Sequence, residues 1–200
     1  MSANPNDDSM YMTEAEYLEF NRDSEIRHEY IQGEVVAMAG ASQNHNRLVA
    51  TIRFLLYGHL RNKKGCEVYG ENMRVKIKLA DLQTFPDLSV VCGDIQLTDD
   101  LPPALLNPNL IIEVLSPSTE SYDRGKKFKA YRQLPSLQEY ILVSQDSAHI
   151  ERYVRKVDLW ELSDATGLDA TITLSTIDCP LALVDVYENV TFEDKTLASD

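Results

Sequence analysis

Residues 110–115 read Leu-Ile-Ile-Glu-Val-Leu, and residues 85–92 upstream of them read Phe-Pro-Asp-Leu-Ser-Val-Val-Cys. The first stretch is a nearly unbroken apolar run of strand length, the pattern of a strand covered on both faces. It holds a single acid, Glu113. A lone carboxylate in such a strand costs several kcal/mol unless it is paired, protonated or bound to a metal. The second stretch is another apolar strand, and Asp87 stands at its opening. If the two strands are neighbours, the two carboxylates converge and raise each other's pKa. A divalent cation would relieve that repulsion, and ligands that are all oxygen suit Mg²⁺ or Mn²⁺ better than zinc.

Working downstream, Ser116-Pro117-Ser118-Thr119 ends the strand, and a helix is expected from there to about Leu134, before Pro135. Residues 139–144 then form another buried strand, so residues 110–143 read as a strand–helix–strand crossover. On the intervening helix Asp123, Lys127 and Tyr131 are spaced i, i+4, i+8 and share one face. A cation held by acids can polarise a phosphodiester, and a lysine beside it would steady the charge that develops.

Upstream, Thr13-Glu14-Ala15-Glu16 reads as a capping box for a short helix to about Phe20. Residues 27–39 form a hairpin about Gln32-Gly33. Ser42 caps a long helix whose apolar positions are Leu48, Val49, Ile52, Leu55, Leu56 and Leu60, with its end expected near Gly65. Residues 68–79 follow as a strand region. Beyond the crossover, His149–Arg155 and Asp158–Leu162 read as an antiparallel pair, and Ile172, Leu174 and Val190-Thr191-Phe192 as short edge strands. The fold class is α/β, or α+β: a mixed central sheet flanked by helices, with an added antiparallel meander. Residues 1–11 are expected to be a disordered lead-in and residues 12–195 a single domain.

The chain has 200 residues, 44% hydrophobic and 26% charged, which excludes a disordered, collagen-like or coiled-coil protein. No apolar run reaches the ~20 residues of a membrane helix, and the polar, acidic first ten residues do not resemble a signal peptide. Cys66, Cys92 and Cys179 are odd in number and far apart, without a C-x-x-C pair, so neither a zinc knuckle nor a disulfide framework is expected. The simplest reading is a reduced cytoplasmic protein with no membrane association. The net charge of −13 would repel phosphate if spread evenly, but residues 41–80 carry +6 and residues 123–156 carry +4. A polyanion could be held if these basic islands meet on one face; on charge alone, ordinary solvated faces are the simpler reading.

The ordered set of motifs resembles the Uma family of restriction-endonuclease-like proteins, within the PD-(D/E)XK nuclease superfamily. The matching pieces are Gly33-Glu34, Met38 to Ser42 with His45, Phe85 to Val91, Ile112 to Thr119, Tyr122 to Phe128 with Tyr131-Arg132, and Ser136 to Val143. They cover most of residues 12–165. The resemblance implies a restriction-endonuclease-like core and a metal-dependent DNA endonuclease. Asp87, Glu113 and Lys127 would be catalytic, with Asp87, Glu113 and Glu34 holding Mg²⁺ or Mn²⁺. It departs from the superfamily pattern at Leu115, where a lysine is expected; in this family the lysine stands on the following helix, and Lys127 matches it. A homodimer would suit cutting both strands of DNA.

Each residue also has a plainer reading. Asp87 could cap a turn, Glu34 could face solvent, and Lys127 could be an ordinary surface lysine. Asp123 could serve the first helical turn, Tyr131 the core, and His45 either structure or substrate. The competing functional reading is a catalytically silent nuclease-like fold that binds nucleic acid or a protein, which the acidity and Leu115 favour.

Overall fold

In the computed structural model, residues 10–38, 40–63 and 65–192 are described. Most of the expected lead-in, residues 1–9, lies outside them, as do residues 193–195 at the end of the expected domain. Met10–Tyr11 forms β1, followed by α1 (Glu14–Asp23), β2 (His28–Ile31), β3 (Glu34–Ala37) and α2 (Gln43–Leu60). Next come β4 (Cys66–Gly70), β5 (Val75–Ile77), β6 (Leu82–Thr84), β7 (Leu88–Cys92) and β8 (Leu110–Leu115). A helical run at 120–131 leads to β9 (Glu139–Ser144), β10 (His149–Arg155), β11 (Trp160–Thr166), β12 (Thr171–Leu174) and β13 (Cys179–Ala182).

The start of each helix is set by its side chains. Thr13 accepts from the Glu16 amide while Glu16 reaches back to the Thr13 amide, completing the capping box. Ser42 Oγ accepts from the His45 amide and opens α2. Leu48, Ile52, Leu56 and Leu60 form the buried stripe of α2. The helix ends at Leu60, earlier than the expected Gly65. Gln32 and Gly33 both take positive φ, 53° and 94°, which is the primed turn that matches strand twist in a two-residue hairpin.

Three sheets result. The central one has the order β11-β10-β9-β8-β7-β4 and is mixed: β8 and β9 run parallel and every other pair antiparallel. β10 and β11 form the expected meander and extend this sheet. The amino-terminal strands form a second, antiparallel sheet in the order β1-β3-β2-β6-β5. The sequence pattern had suggested one sheet, because a strand's partners are not written in its local alternation. β12 and β13 pair as a two-stranded ribbon. Val190–Phe192, read as an edge strand, has no strand structure; the Phe192 ring packs tilted against Tyr187 instead, and β13 is the partner of β12.

β8 separates two cores. Leu110, Ile112 and Val114 face α2 together with Leu88, Val90, Ile141 and Val143. Ile111 and Leu115 face the other way, against Tyr131, Leu134 and Tyr140. The two-residue period therefore turns Glu113 toward the helical run 120–131.

Against the sequence expectation, Cys66 and Cys92 are joined by a disulfide. They are direct cross-strand partners in β4 and β7, with Cα atoms 4.0 Å apart. Their separation of 26 positions in sequence conceals that juxtaposition. Cys179 is free and buried. Among the described residues no helix is long and apolar enough to cross a membrane.

Candidate active site

The pairing Leu88↔Ile112 between β7 and β8, continued by one step, sets Asp87 opposite Glu113. The side chains interlock: the Asp87 amide donates to Glu113 Oε2 at 3.3 Å, and the Val114 amide donates to Asp87 Oδ2 at 2.7 Å. His45, in the first turn of α2, places Nε2 3.2 Å from Asp87 Oδ2. Its Nδ1 is buried and has no hydrogen-bond partner among the described residues.

Glu113 is 3% exposed. Its Oε1 accepts from the Tyr131 hydroxyl at 2.8 Å and lies 2.9 Å from Lys127 Nζ. The same ammonium lies 3.4 Å from Asp123 Oδ1 and 3.4 Å from Glu29 Oε1. It also stands 5.8 Å from the centre of the Tyr122 ring. Glu29 comes from β2 and accepts in addition from Thr84 Oγ1. Residues 123–127 form one π-helical turn between two short α-helical pieces, and both Asp123 and Lys127 on it are buried. Such turns recur at functional sites, because the extra residue re-aims the side chains.

Acids outnumber bases here, and the titration of the group follows from that. Burial pushes the Glu113 carboxyl up to about 8, with Asp123 and Asp87 adding to the rise and Lys127 opposing it. Burial likewise raises Asp123. For Lys127, burial works to lower the pKa, but Glu113 and Glu29 outweigh it and hold the ammonium well above its ordinary value. Burial and the neighbouring Glu113 keep the Tyr131 hydroxyl protonated. Glu113, Asp123, Lys127 and Tyr131 are thus all pushed toward their protonated forms, and the acid-rich group would accept a further positive charge.

The group forms the floor of a cavity of about 1140 Å³. Its walls come from α2, the β2–β3 hairpin and the helical run 120–131.

The family described as "Putative restriction endonuclease", Uma2, matches residues 14–182. The uncharacterized protein sll1609 of the cyanobacterium Synechocystis is 37% identical over 165 residues, covering 82% of this chain and 93% of that one. This chain belongs to the Uma2 family. A second Synechocystis protein, the uncharacterized slr1290, is 34% identical over 180 residues, 88% of this chain and 92% of its own. The fold is also that of a crystal structure from Anabaena variabilis, described as a putative nuclease belonging to DUF820. That match has a TM-score of 0.67 at 18% identity and covers 82% of this chain and 91% of the other.

In this Uma2 chain Asp87, Glu113 and Lys127 come together, and Asp123 and Tyr131 join them from the same helical face. Glu34 stands apart. It lines the same cavity, but in β3 it is paired with Ile31, whereas Val36 is the partner of Glu29. The acid that reaches Lys127 from this sheet is Glu29, which the sequence reading did not single out. The local pattern carried no signal for it: Glu29 shares its strand face with Ile31, Val36 and a second acid, Glu34, while the apolar side of the hairpin is that of Tyr30 and Val35.

Proposed function

We propose that this Uma2 protein is a metal-dependent endonuclease that hydrolyses DNA phosphodiester bonds. The observation that supports it is the meeting of Asp87 and Glu113 across β7 and β8, with Lys127 against Glu113, at the floor of the cavity. Among the described residues no three His, Cys, Asp or Glu side chains are arranged to hold a metal by themselves. Two carboxylates are nevertheless a fitting donor set for Mg²⁺ or Mn²⁺, which are commonly held by one or two acids and completed by water and substrate phosphate. Asp87 Oδ1 makes no hydrogen bond among the described residues, and Glu113 Oε2 lies on the Asp87 side of its carboxylate. A divalent cation would also bring the acid-rich cluster toward neutrality.

When bound, the cation would polarise the phosphodiester and lower the pKa of an attacking water. Asp87 and Glu113 would hold it. The Val114 amide and His45 keep the Asp87 carboxylate turned toward Glu113. Tyr131 and Lys127 fix the other Glu113 oxygen. Lys127, itself held by Glu29 and Asp123, presents a fixed positive charge beside the place where the phosphoryl oxygens would gather negative charge. The lysine absent at Leu115 would thereby be supplied from the helix.

The test is nicking of supercoiled plasmid with Mg²⁺ or Mn²⁺ by the wild type and by Glu113→Gln. The wild type is expected to cut and the variant to lose at least about a hundredfold in rate. Equal cutting by both removes the assignment. No cutting by the wild type, together with no Mn²⁺ uptake by calorimetry, puts the silent binding fold in its place. Nicked circles are the product expected of one copy acting on one strand, and linear DNA that of a two-fold pair.

A further inference from the structure

The α2 helix carries two stripes. Leu48, Ile52, Leu56 and Leu60 face the core. Beside it His45, Val49, Arg53 and Tyr57 follow one another at i, i+4 and line the cavity, with Phe54 next to Tyr57 at i, i+3. This second stripe starts at the Asp87–His45 contact and ends in two aromatic side chains left open to solvent: Phe54 is 74% exposed and Tyr57 66%. Large apolar rings at such exposure, side by side on a cavity wall, mark a surface built to be covered.

The cavity is lined by both signs of charge: Glu34 and Glu71 stand on its walls with Arg27, Arg53 and Lys126. Arg53 lies across Gly70, where a β-carbon would come within 2.9 Å of its Nη1, so the absence of a side chain there makes room for the guanidinium. Lys126, on the helical run 120–131, also lines the cavity. Neither Arg53 nor Lys126 has an ion-pair partner among the described residues. Arg27, a third cavity residue, donates to the Glu71 carbonyl. The two basic islands of the sequence, one carrying α2 and one carrying the helical run 120–131, thus meet on the walls of this cavity, above its acidic floor.

We infer that the cavity takes an unpaired strand of DNA, whose bases stack on Phe54 and Tyr57 while Arg53 and Lys126 hold its phosphates and its backbone runs down α2 to the acid cluster. Aromatic faces are of little use to a duplex, because paired bases already stack on one another. They bind any base that is exposed, with little regard to sequence. From His45 to Phe54 the helix rises about 14 Å, the length of about four stacked nucleotides. The cavity is also larger than the roughly 300–1,000 Å³ that holds a small molecule. The inference rests on the nuclease reading for the chemistry at the floor and adds the form of the substrate.

The experiment is fluorescence anisotropy with a labelled twelve-residue oligodeoxythymidylate and a twelve-base-pair duplex, at fixed salt and in EDTA, where metal-dependent cutting does not run. The wild type is expected to bind the single strand at least about tenfold more tightly than the duplex. The double variant F54A/Y57A should lose at least about tenfold for the single strand and change little for the duplex. Phe54→Trp, which keeps a stacking face, should retain the preference. Equal affinity for the two forms of DNA, or an unchanged affinity in F54A/Y57A, overturns the inference. Strand binding without plasmid cutting would count against the nuclease reading alone, and cutting without a single-strand preference against this inference alone.

Discussion

Lys127 is the sharpest point at which to perturb this molecule. Lys127→Met keeps much of the side chain's length and removes the ammonium that lies within 3.4 Å of Glu29, Glu113 and Asp123. Breaking a buried ion pair costs about 3–5 kcal/mol, because it leaves an uncompensated charge behind. The acids can escape that cost by taking protons, at about 1.4 kcal/mol for each pH unit between the solution and the carboxyl's own pKa. The penalty therefore depends on pH, and its sign follows from the direction of the shifts. Glu113 and Asp123 are raised in the folded state, so their contribution is fully present below their ordinary values of 4.5 and 3.8 and drains away as pH rises. For Glu113 the drain ends near 8 in the wild type, where Lys127 holds it down; without the lysine it continues to higher pH. The Lys127 contribution itself is present below 10.5 and lasts until pH passes its raised value, so it is intact across the range tested.

Lys127→Met should accordingly lose about 3–5 kcal/mol at pH 8.5 and no more than about 1–2 kcal/mol at pH 5. Urea unfolding followed by the fluorescence of Trp160, the chain's single tryptophan, reads this directly. With a slope of about 2 kcal/mol per molar urea, the midpoint should fall by about 1.5–2.5 M at the higher pH. Adding Glu113→Gln to the variant should restore part of the loss at pH 8.5, because one stranded carboxylate is gone. A loss of the same size at both pH values, or a shift below about 0.5 M at both, would refute the argument that this lysine holds the acids together.

Two further perturbations test the frame around the site. Glu139, fully buried at the start of β9, accepts from the amides of Ser175 and Thr176 and from the Ser175 hydroxyl; Glu139→Ala should cost about 2–4 kcal/mol in urea unfolding, and a loss under 1 kcal/mol would show that those donors find other partners. Tyr131→Phe keeps the ring and removes the hydroxyl that donates to Glu113, so it should cost about 1–2 kcal/mol and lower Tm by about 3–6 °C, with an unchanged Tm contradicting the contact.

The sequence by itself determined the elements and their faces, because these follow from neighbours within a few residues. The apolar run around Glu113 made a strand covered on both sides. The Thr13 box and Ser42 opened the helices, Gln32-Gly33 turned the hairpin, and the i, i+4, i+8 spacing put Asp123, Lys127 and Tyr131 on one face. Asp87 was legible as the partner of Glu113 only because an isolated buried acid demands one. The tertiary structure decided which strands lie side by side, and with that everything that depends on register. It brought Glu29 across from a separate sheet to Lys127 and left Glu34 farther along the cavity wall. It joined Cys66 to Cys92, and it paired β12 with β13 rather than with Val190–Phe192. Local periodicity says which way a side chain points; the burial of two cores on either side of β8 decides what it meets there.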